Sequence, residues 1–116
     1  MRTNTRITRI NQEMKRELSN IIDNELNDPR IKEAMTSVTN VETTPDLKQC
    51  KVYVSILGND EVKKDILKGL KSAAGFIRKQ IAARINLRVT PEFSFKIDDS
   101  IEHSIHMGEL FKKIKE

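Results

Sequence analysis

The spacing of apolar residues predicts a long amphipathic helix near the start of the chain. Apolar side chains recur every three or four positions from Ile7 to Leu26, which places them on one stripe of a helix. The Asp28-Pro29 pair ends this pattern, because the residue before a proline is pushed out of helical geometry. The first predicted element is therefore a helix from Ile7 to Leu26.

The next two apolar patterns predict a β-hairpin. Residues 35–43 are rich in β-branched side chains, although Val38 and Val41 break strict alternation. Residues 49–57 alternate cleanly between apolar and polar positions, which is typical of a strand with one buried face. Turn-forming residues at 44–47 join the two runs closely, so we expect an antiparallel pair.

Helical spacing returns over residues 60–86 and then gives way to a third strand. Gly75 interrupts the helical pattern, so the segment is either one bent helix or two helices that meet at residues 73–75. A threonine-proline pair at 90–91 ends it. Alternating apolar residues at 93–97 predict the third strand.

A final helical pattern covers residues 101–114, so the predicted order is helix, strand, strand, helix, helix, strand and closing helix. Each amphipathic element must bury its apolar side against a partner. We therefore expect a two-layer α+β fold, with helices covering one face of a three-stranded sheet. At 116 residues the chain has the length of a single domain. We expect residues 1–5 and about 105–116 to be flexible or appended ends of this domain.

The overall composition fits a cytoplasmic protein. The chain has 21 basic and 17 acidic residues, for a formal net charge of +4 at pH 7. Its one cysteine, Cys50, falls on the apolar face of the second strand, which favours a buried and unreactive thiol. The amino-terminal segment lacks the apolar run of a secretory signal, and no apolar run is long enough to span a bilayer. We expect no membrane contact.

Positive charge is concentrated in two blocks. Residues 66–91 carry six basic residues and no acidic one, and residues 1–16 carry five basic residues and one acidic one. A phosphate backbone selects such density, because bound cations release its condensed counterions; for any single residue, solvation of an exposed helix face is the alternative. The residues that we assign to phosphate contact are Lys71, Arg78, Lys79, Arg84 and Arg88, with Arg2, Arg6 and Arg9 as a second contact.

Catalytic chemistry is not indicated. The chain has no Walker loop, dinucleotide glycine pattern or nucleophile elbow. His103 and His106, with Glu102 or Glu109, have a spacing that could face a metal ion, but exposed helix polarity explains them better. We expect neither an enzyme nor a cofactor or metal site.

Four blocks of sequence carry a family resemblance. They are RINQEMKRELSNIIDNEL with the following DPRI, VTNVETTPDLKQCKVYVSILG, AAGFIR, and LRVTPEFSFKIDDSIEHS. Together, and in this order, they cover nearly the whole chain and resemble the bacterial ribosome-binding factor A family. The resemblance implies a KH-type fold of the second topological type. It also implies association with the free or precursor 30S ribosomal subunit and late maturation of 16S rRNA, including its 5′ end and decoding-region helices, with importance for growth in the cold.

The resemblance also implies a particular helix junction. An ordinary KH domain clamps a nucleic-acid strand with a Gly-x-x-Gly loop, whereas the family has an alanine-x-glycine kink, matched here by Ala73, Ala74 and Gly75. These residues and Ser72 therefore join the expected RNA-binding set, with Gly75 shaping the junction. We expect a monomeric, non-catalytic assembly factor that docks on structured rRNA through phosphate contacts and takes no small-molecule substrate.

A protein–protein adaptor is the alternative function. In that case an acidic block would contact a basic partner and the positive blocks would be incidental. The acidic residues concerned are Asp98, Asp99, Glu102 and Glu109. Nuclease treatment separates the two functions, because an adaptor keeps its partner after RNA is destroyed.

Overall fold

The computed structural model describes residues 5–26, 28–33 and 36–98 of the chain. Within these ranges the helices are α1 (Thr5–Asn20), α2 (Pro29–Glu33), α3 (Asp60–Ser72) and α4 (Ala74–Arg84), and the strands are β1 (Thr36–Thr43), β2 (Gln49–Ile56) and β3 (Glu92–Ile97). The predicted order of helices and strands up to residue 98 is confirmed, with one additional short helix. The predicted closing helix, with its two histidines, lies outside the described residues, as does Arg2.

The first predicted helix ends in a wider, π-helical turn. α1 buries Ile10, Met14 and Leu18 along one stripe. The π-helical turn at Ile21–Glu25 follows directly, and the Leu26 N–H donates to the Ile21 carbonyl at 3.1 Å, the i+5 bond that defines such a turn. The turn buries both Ile21 and Ile22, which extends the apolar stripe of α1 into the core.

The short helix α2 is not evident from apolar spacing, because five residues are too few to show a helical period. Asp28 begins it: one carboxylate oxygen accepts the Arg30 N–H at 3.0 Å, and the carboxylate also binds the Arg30 guanidinium at 3.0 and 2.8 Å. The hydrogen bond from Arg30 lowers the pKa of Asp28. The residue pair that ends the first helical pattern therefore also starts the next helix.

The three strands form one mixed sheet in the order β1-β2-β3. The predicted hairpin is confirmed, since β1 pairs antiparallel with β2, whereas β3 pairs parallel with β2. A β-bulge interrupts β1 between Val38 and Asn40, with Thr39 as the extra residue. The bulge explains the broken alternation of the sequence, because it buries both Val38 and Val41 although they lie three positions apart.

The helices cover one face of the sheet, as expected for a two-layer α+β fold. α1 packs on β1, α3 and α4 pack on β3, and α1 also contacts α4. Large side chains from both layers are fully buried in one shared core, among them Met14, Leu70, Ile77 and Ile81 of the helices and Val52 of β2. α4 therefore lies against the core along one stripe and leaves its other sides to its neighbours or to solvent.

Candidate nucleic-acid interface

The helical segment after β2 is two helices rather than one bent helix. Ala73 separates α3 from α4, with φ of −87° and ψ of −1°. Its N–H still bonds the Gly69 carbonyl at 3.0 Å, as part of α3, while its own carbonyl accepts the Ile77 N–H at 2.9 Å, as part of α4. The two helices are therefore separated by a single residue.

Gly75 does not make this junction, contrary to our expectation from the sequence. It lies in the first turn of α4, φ is positive at Gly58 but not at Gly75, and a Cβ built on Gly75 meets nothing within 4 Å. At Gly58, by contrast, φ is +152° and a Cβ would lie 2.8 Å from the Val62 Cγ1. The fold therefore requires glycine at position 58 and does not require it at position 75.

Gly75 lies among the predicted phosphate-binding cations. Gly75, Arg78 and Lys79, which we call the junction surface, line a shallow depression of about 480 Å³ together with Ala82 and Thr90. No acidic residue lines it. The Arg78 guanidinium donates to the Thr90 carbonyl at 3.0 and 3.4 Å, which ties the loop before β3 to α4.

Three further predicted RNA-contact residues are also exposed, while Ala73 and Ala74 are half-buried. Lys71 and Ser72 are exposed at the end of α3, and Arg88 is exposed in the loop after α4. The side chains of Lys71 and Lys79 have no hydrogen bond or ion pair within the parts of the chain that the structure describes. Their charges are therefore available to a partner.

Arg84 is separated from the junction surface and is already paired. It follows Lys79 by five positions, a rotation of about 140° around the helix axis. Its guanidinium lies 3.4 Å from a Glu17 carboxylate oxygen and also binds Glu25 in the π-helical turn. The hydrogen bond to Glu25 raises the pKa of Arg84. Arg84 therefore joins α4 to α1, and the predicted set of cations on residues 66–91 is not one continuous surface.

The amino-terminal cations lie in a separate place. Arg6 and Arg9 line a depression of about 400 Å³ between α1 and the end of α4, and Glu13 and residues 85–87 line it with them. The presence of Glu13 makes this surface mixed in charge. It is thus a second cationic region and not an extension of the junction surface.

One exposed aromatic residue was not anticipated from the sequence. Phe76 follows Gly75 and keeps 43% of its surface exposed, although it is among the largest apolar side chains of α4. Its place outside the apolar stripe of Ile77 and Ile81 is the sequence signal that could have revealed it.

The acidic block of the adaptor hypothesis is described only at Asp98. The Thr39 hydroxyl donates to the Asp98 carboxylate at 2.6 Å, and the Asp98 N–H donates to the Val54 carbonyl at 2.8 Å. This carboxylate therefore links the bulge of β1 to the end of β3. The other three acidic residues lie outside the described ranges.

Within the described ranges, the side chains that could bind a metal ion are not clustered, and the thiol of Cys50 is buried. No group of three or more histidine, cysteine, aspartate or glutamate residues is placed to hold a metal ion in the ranges given above. Cys50 is buried as predicted, and burial raises the pKa of its thiol to about 11. Among the helices that the structure describes, none is long and apolar enough to cross a membrane.

The order of the elements and the junction between α3 and α4 define a KH-like α+β domain of the second topological type. A sequence profile described as ribosome-binding factor A matches residues 6–111. The chain belongs to the ribosome-binding factor A family.

Similar proteins agree with this assignment. The ribosome-binding factor A of Clostridium botulinum (strain Okra) is 54% identical over 111 residues, which cover 96% of this chain and 92% of that protein. The solution NMR structure of a Thermotoga maritima protein described as a ribosome binding factor A has a TM-score of 0.75 at 34% identity and covers 88% of this chain and 95% of its own.

A third similar structure concerns a complex. It is a homology model of Thermus thermophilus ribosome binding factor A fitted into the cryo-electron microscopy map of a 30S complex. Its TM-score is 0.63 at 26% identity, with 77% of this chain and 91% of that chain covered.

Proposed function

We propose that this protein is a non-catalytic assembly factor that binds the immature 30S subunit and promotes late maturation of 16S rRNA. This maturation includes processing of the 5′ end and maturation of the decoding-region helices. We expect both roles to matter most for growth in the cold. Family membership supports the proposal, as does the Thermus thermophilus relative, which is fitted into a map of a 30S complex. The partner is rRNA of the free or precursor subunit, bound in the cytoplasm by a monomer without a cofactor or small-molecule substrate.

The junction surface is the observation that carries this proposal. Arg78 and Lys79 offer cations beside Gly75, and the depression that they line contains no carboxylate that would repel phosphate. No side chain caps the start of α4, and the missing Cβ of Gly75 leaves room for a close approach. A phosphate backbone fits this combination of charge and open space.

The other proposed RNA-contact residues either adjoin the junction surface or lie in a separate region. Lys71, Ser72, Ala73 and Ala74 adjoin the junction surface along the chain, and Arg88 lies in the loop after α4. These residues extend the contact. The Arg6 and Arg9 region, with Arg2 before it, supplies a second contact.

Arg84 has a different role in this proposal. Because its guanidinium is held by two carboxylates of the α1 region, it would have to leave them before it could bind phosphate. We therefore assign it to the fold and exclude it from the primary contact. Since phosphate contacts position a protein without reading bases, specificity comes from the shape of the subunit.

Charge reversal at two available lysines tests the proposal. In the variant Lys71→Glu/Lys79→Glu we expect affinity for 30S subunits to fall on the order of a hundredfold, because two charged contacts become repulsive. Sedimentation with purified subunits at fixed salt measures the loss. Circular dichroism and thermal unfolding should show an intact fold, since neither lysine side chain has a partner in the described part of the chain.

A matched variant controls for net charge. Lys64→Glu/Lys96→Glu makes the same charge change on exposed residues, one in α3 and one in β3. It should bind subunits nearly as well as the wild type. Equal losses in both variants, or no loss in the junction variant, would contradict the assignment of this surface.

A further inference from the structure

Uncharged hydrogen-bonding side chains gather where α1 lies beside β1. They line a depression of about 310 Å³ that is separate from both cationic regions described above. The residues that line it are Thr8, Asn11, Gln12 and Lys15 of α1 and Asn40 and Val41 of β1. The depression contains amide and hydroxyl groups, one cation and no acidic residue.

The sequence explains why these side chains share one place. Positions 8, 11, 12 and 15 are three or four residues apart, so they lie together on one side of α1. In β1 the bulge at Thr39 shifts the register, and Asn40 is left exposed beside this side of the helix. A regular strand would have placed Asn40 in the opposite orientation.

The Asn11 side chain already has a hydrogen-bond partner within the protein, whereas the side chains of Gln12 and Asn40 have none in the described part of the chain. The Asn11 Oδ1 accepts the Thr43 N–H at 3.0 Å, which satisfies a backbone donor at the outer edge of β1. The side chains of Gln12 and Asn40 have no hydrogen bond to any residue in the ranges 5–26, 28–33 and 36–98. We call Gln12 and Asn40 the amide pair, because both keep their donors and acceptors for a partner.

The cations around Gln12 favour RNA as that partner. Gln12 lies three positions from Arg9, three from Lys15 and four from Arg16, so these three side chains are its neighbours on the helix surface. Cations bind phosphates, while an amide binds a ribose 2′-hydroxyl or a base edge. Carboxylate side chains of an acidic protein segment would satisfy the cations, but they offer hydrogen-bond acceptors and no donors, whereas a ribose hydroxyl offers both.

We propose that the amide pair and Lys15 form an additional rRNA contact, at which the two amides hydrogen-bond sugar hydroxyls or base edges of an unpaired RNA segment. This inference rests on the proposed association with the small subunit. It adds a contact that recognises sugar or base groups as well as phosphate, whereas the junction surface binds the phosphate backbone and positions the protein.

The salt dependence of binding distinguishes the two kinds of contact. In Gln12→Ala/Asn40→Ala we expect affinity for 30S subunits to be about tenfold weaker at every salt concentration, because neutral hydrogen bonds are lost. The slope of log affinity against log salt should stay unchanged, because no counterion-releasing cation is removed. In Lys71→Glu/Lys79→Glu the slope itself should become shallower.

A control variant, compared with the amide-pair variant and the lysine variant, tests the inference. Gln49→Ala/Asn24→Ala removes the same two residue types at other exposed positions and should bind like the wild type. If the amide-pair variant also binds like the wild type while the lysine variant does not, the inference is overturned and the proposed function stands. If neither variant loses affinity, both are overturned.

Crosslinking identifies what the patch touches. Full-length protein with benzoylphenylalanine at position 12 should crosslink to rRNA when it is bound to 30S subunits. The same residue at position 79 reports on the junction surface. Crosslinks from position 12 that reach only ribosomal proteins, or no crosslinks from position 12 while position 79 reacts with rRNA, would overturn the assignment to RNA.

Discussion

Two sides of α4 carry similar cations and use them differently. On one side Lys79 is exposed next to Gly75, and no carboxylate lines the shared depression. On the other side Arg84 is bound by Glu17 and Glu25. The difference shows that the role of a basic residue depends on what the neighbouring element places opposite it. A single block of positive charge in the sequence thus becomes one structural cation and one surface available to a partner.

Arg84→Glu should produce the largest effect on stability. It would place a third carboxylate beside Glu17 and Glu25, where Glu25 also has a buried Oε2 without a hydrogen-bond partner in the described structure. Like charges at this distance repel, so the midpoint of thermal unfolding should fall markedly. Differential scanning calorimetry measures the fall. Lys79→Glu is the control and should leave the midpoint nearly unchanged; equal falls in both would contradict the comparison.

Gly58→Ala should destabilise the fold without touching either side of α4. Its φ of +152° is unfavourable for alanine, and the new Cβ would overlap the Val62 side chain at the start of α3. We expect the free energy of unfolding to fall by about 2 kcal/mol. Urea denaturation measures it. Subunit binding by the folded fraction should be normal.

Gly75→Ala should have the opposite and smaller effect on stability. The new methyl group meets open space, and alanine restricts the unfolded chain more than glycine does, so the free energy of unfolding should rise by about 0.5–1 kcal/mol. Affinity for 30S subunits should nevertheless fall several-fold, because the methyl group occupies the depression beside Lys79. A stabilised variant with unchanged affinity would show that the open space at Gly75 is not used.

Alkaline pH should lower the stability of the whole fold through the shared core, and not through either side of α4. Burial raises the pKa of the Cys50 thiol from 9.0 to about 11, so the unfolded chain ionises first and stability falls as pH rises from about 9 towards 11. In Cys50→Ala this contribution is absent. The stability difference between wild type and Cys50→Ala, from urea denaturation at pH 7, 9 and 10, should therefore shrink with pH. A constant difference would contradict a buried neutral thiol.

The sequence predicts the order of the long elements because each keeps one apolar period over several turns or strand positions. It could not show the bulge in β1, although the spacing of Val38 and Val41 was its visible sign. Nor could it show α2, which depends on a cap by Asp28 and on burial of Ile31 more than on a helical period. Short elements fixed by single contacts leave little pattern to detect.

The candidate site was predictable in composition but not in arrangement. Counting charges identified the residues, yet the separation of Arg84 from Lys79 depends on where α1 places Glu17 and Glu25. The role expected for Gly75 was also different, because a break in apolar spacing does not reveal which residue separates the two helices. Ala73 separates them through its backbone angles, which a sequence pattern does not encode.

The π-helical turn at Ile21–Glu25 gives this family member a place where the length of the first helix can change by one residue. A π-turn corresponds to one extra residue accommodated within an α-helical path. Deleting a single residue there would restore regular winding and keep the later residues close to their present orientation. The same deletion in the middle of α1 would rotate every later side chain by about 100° and remove it from the buried stripe. A one-residue deletion should therefore be tolerated better in the π-helical turn than within α1.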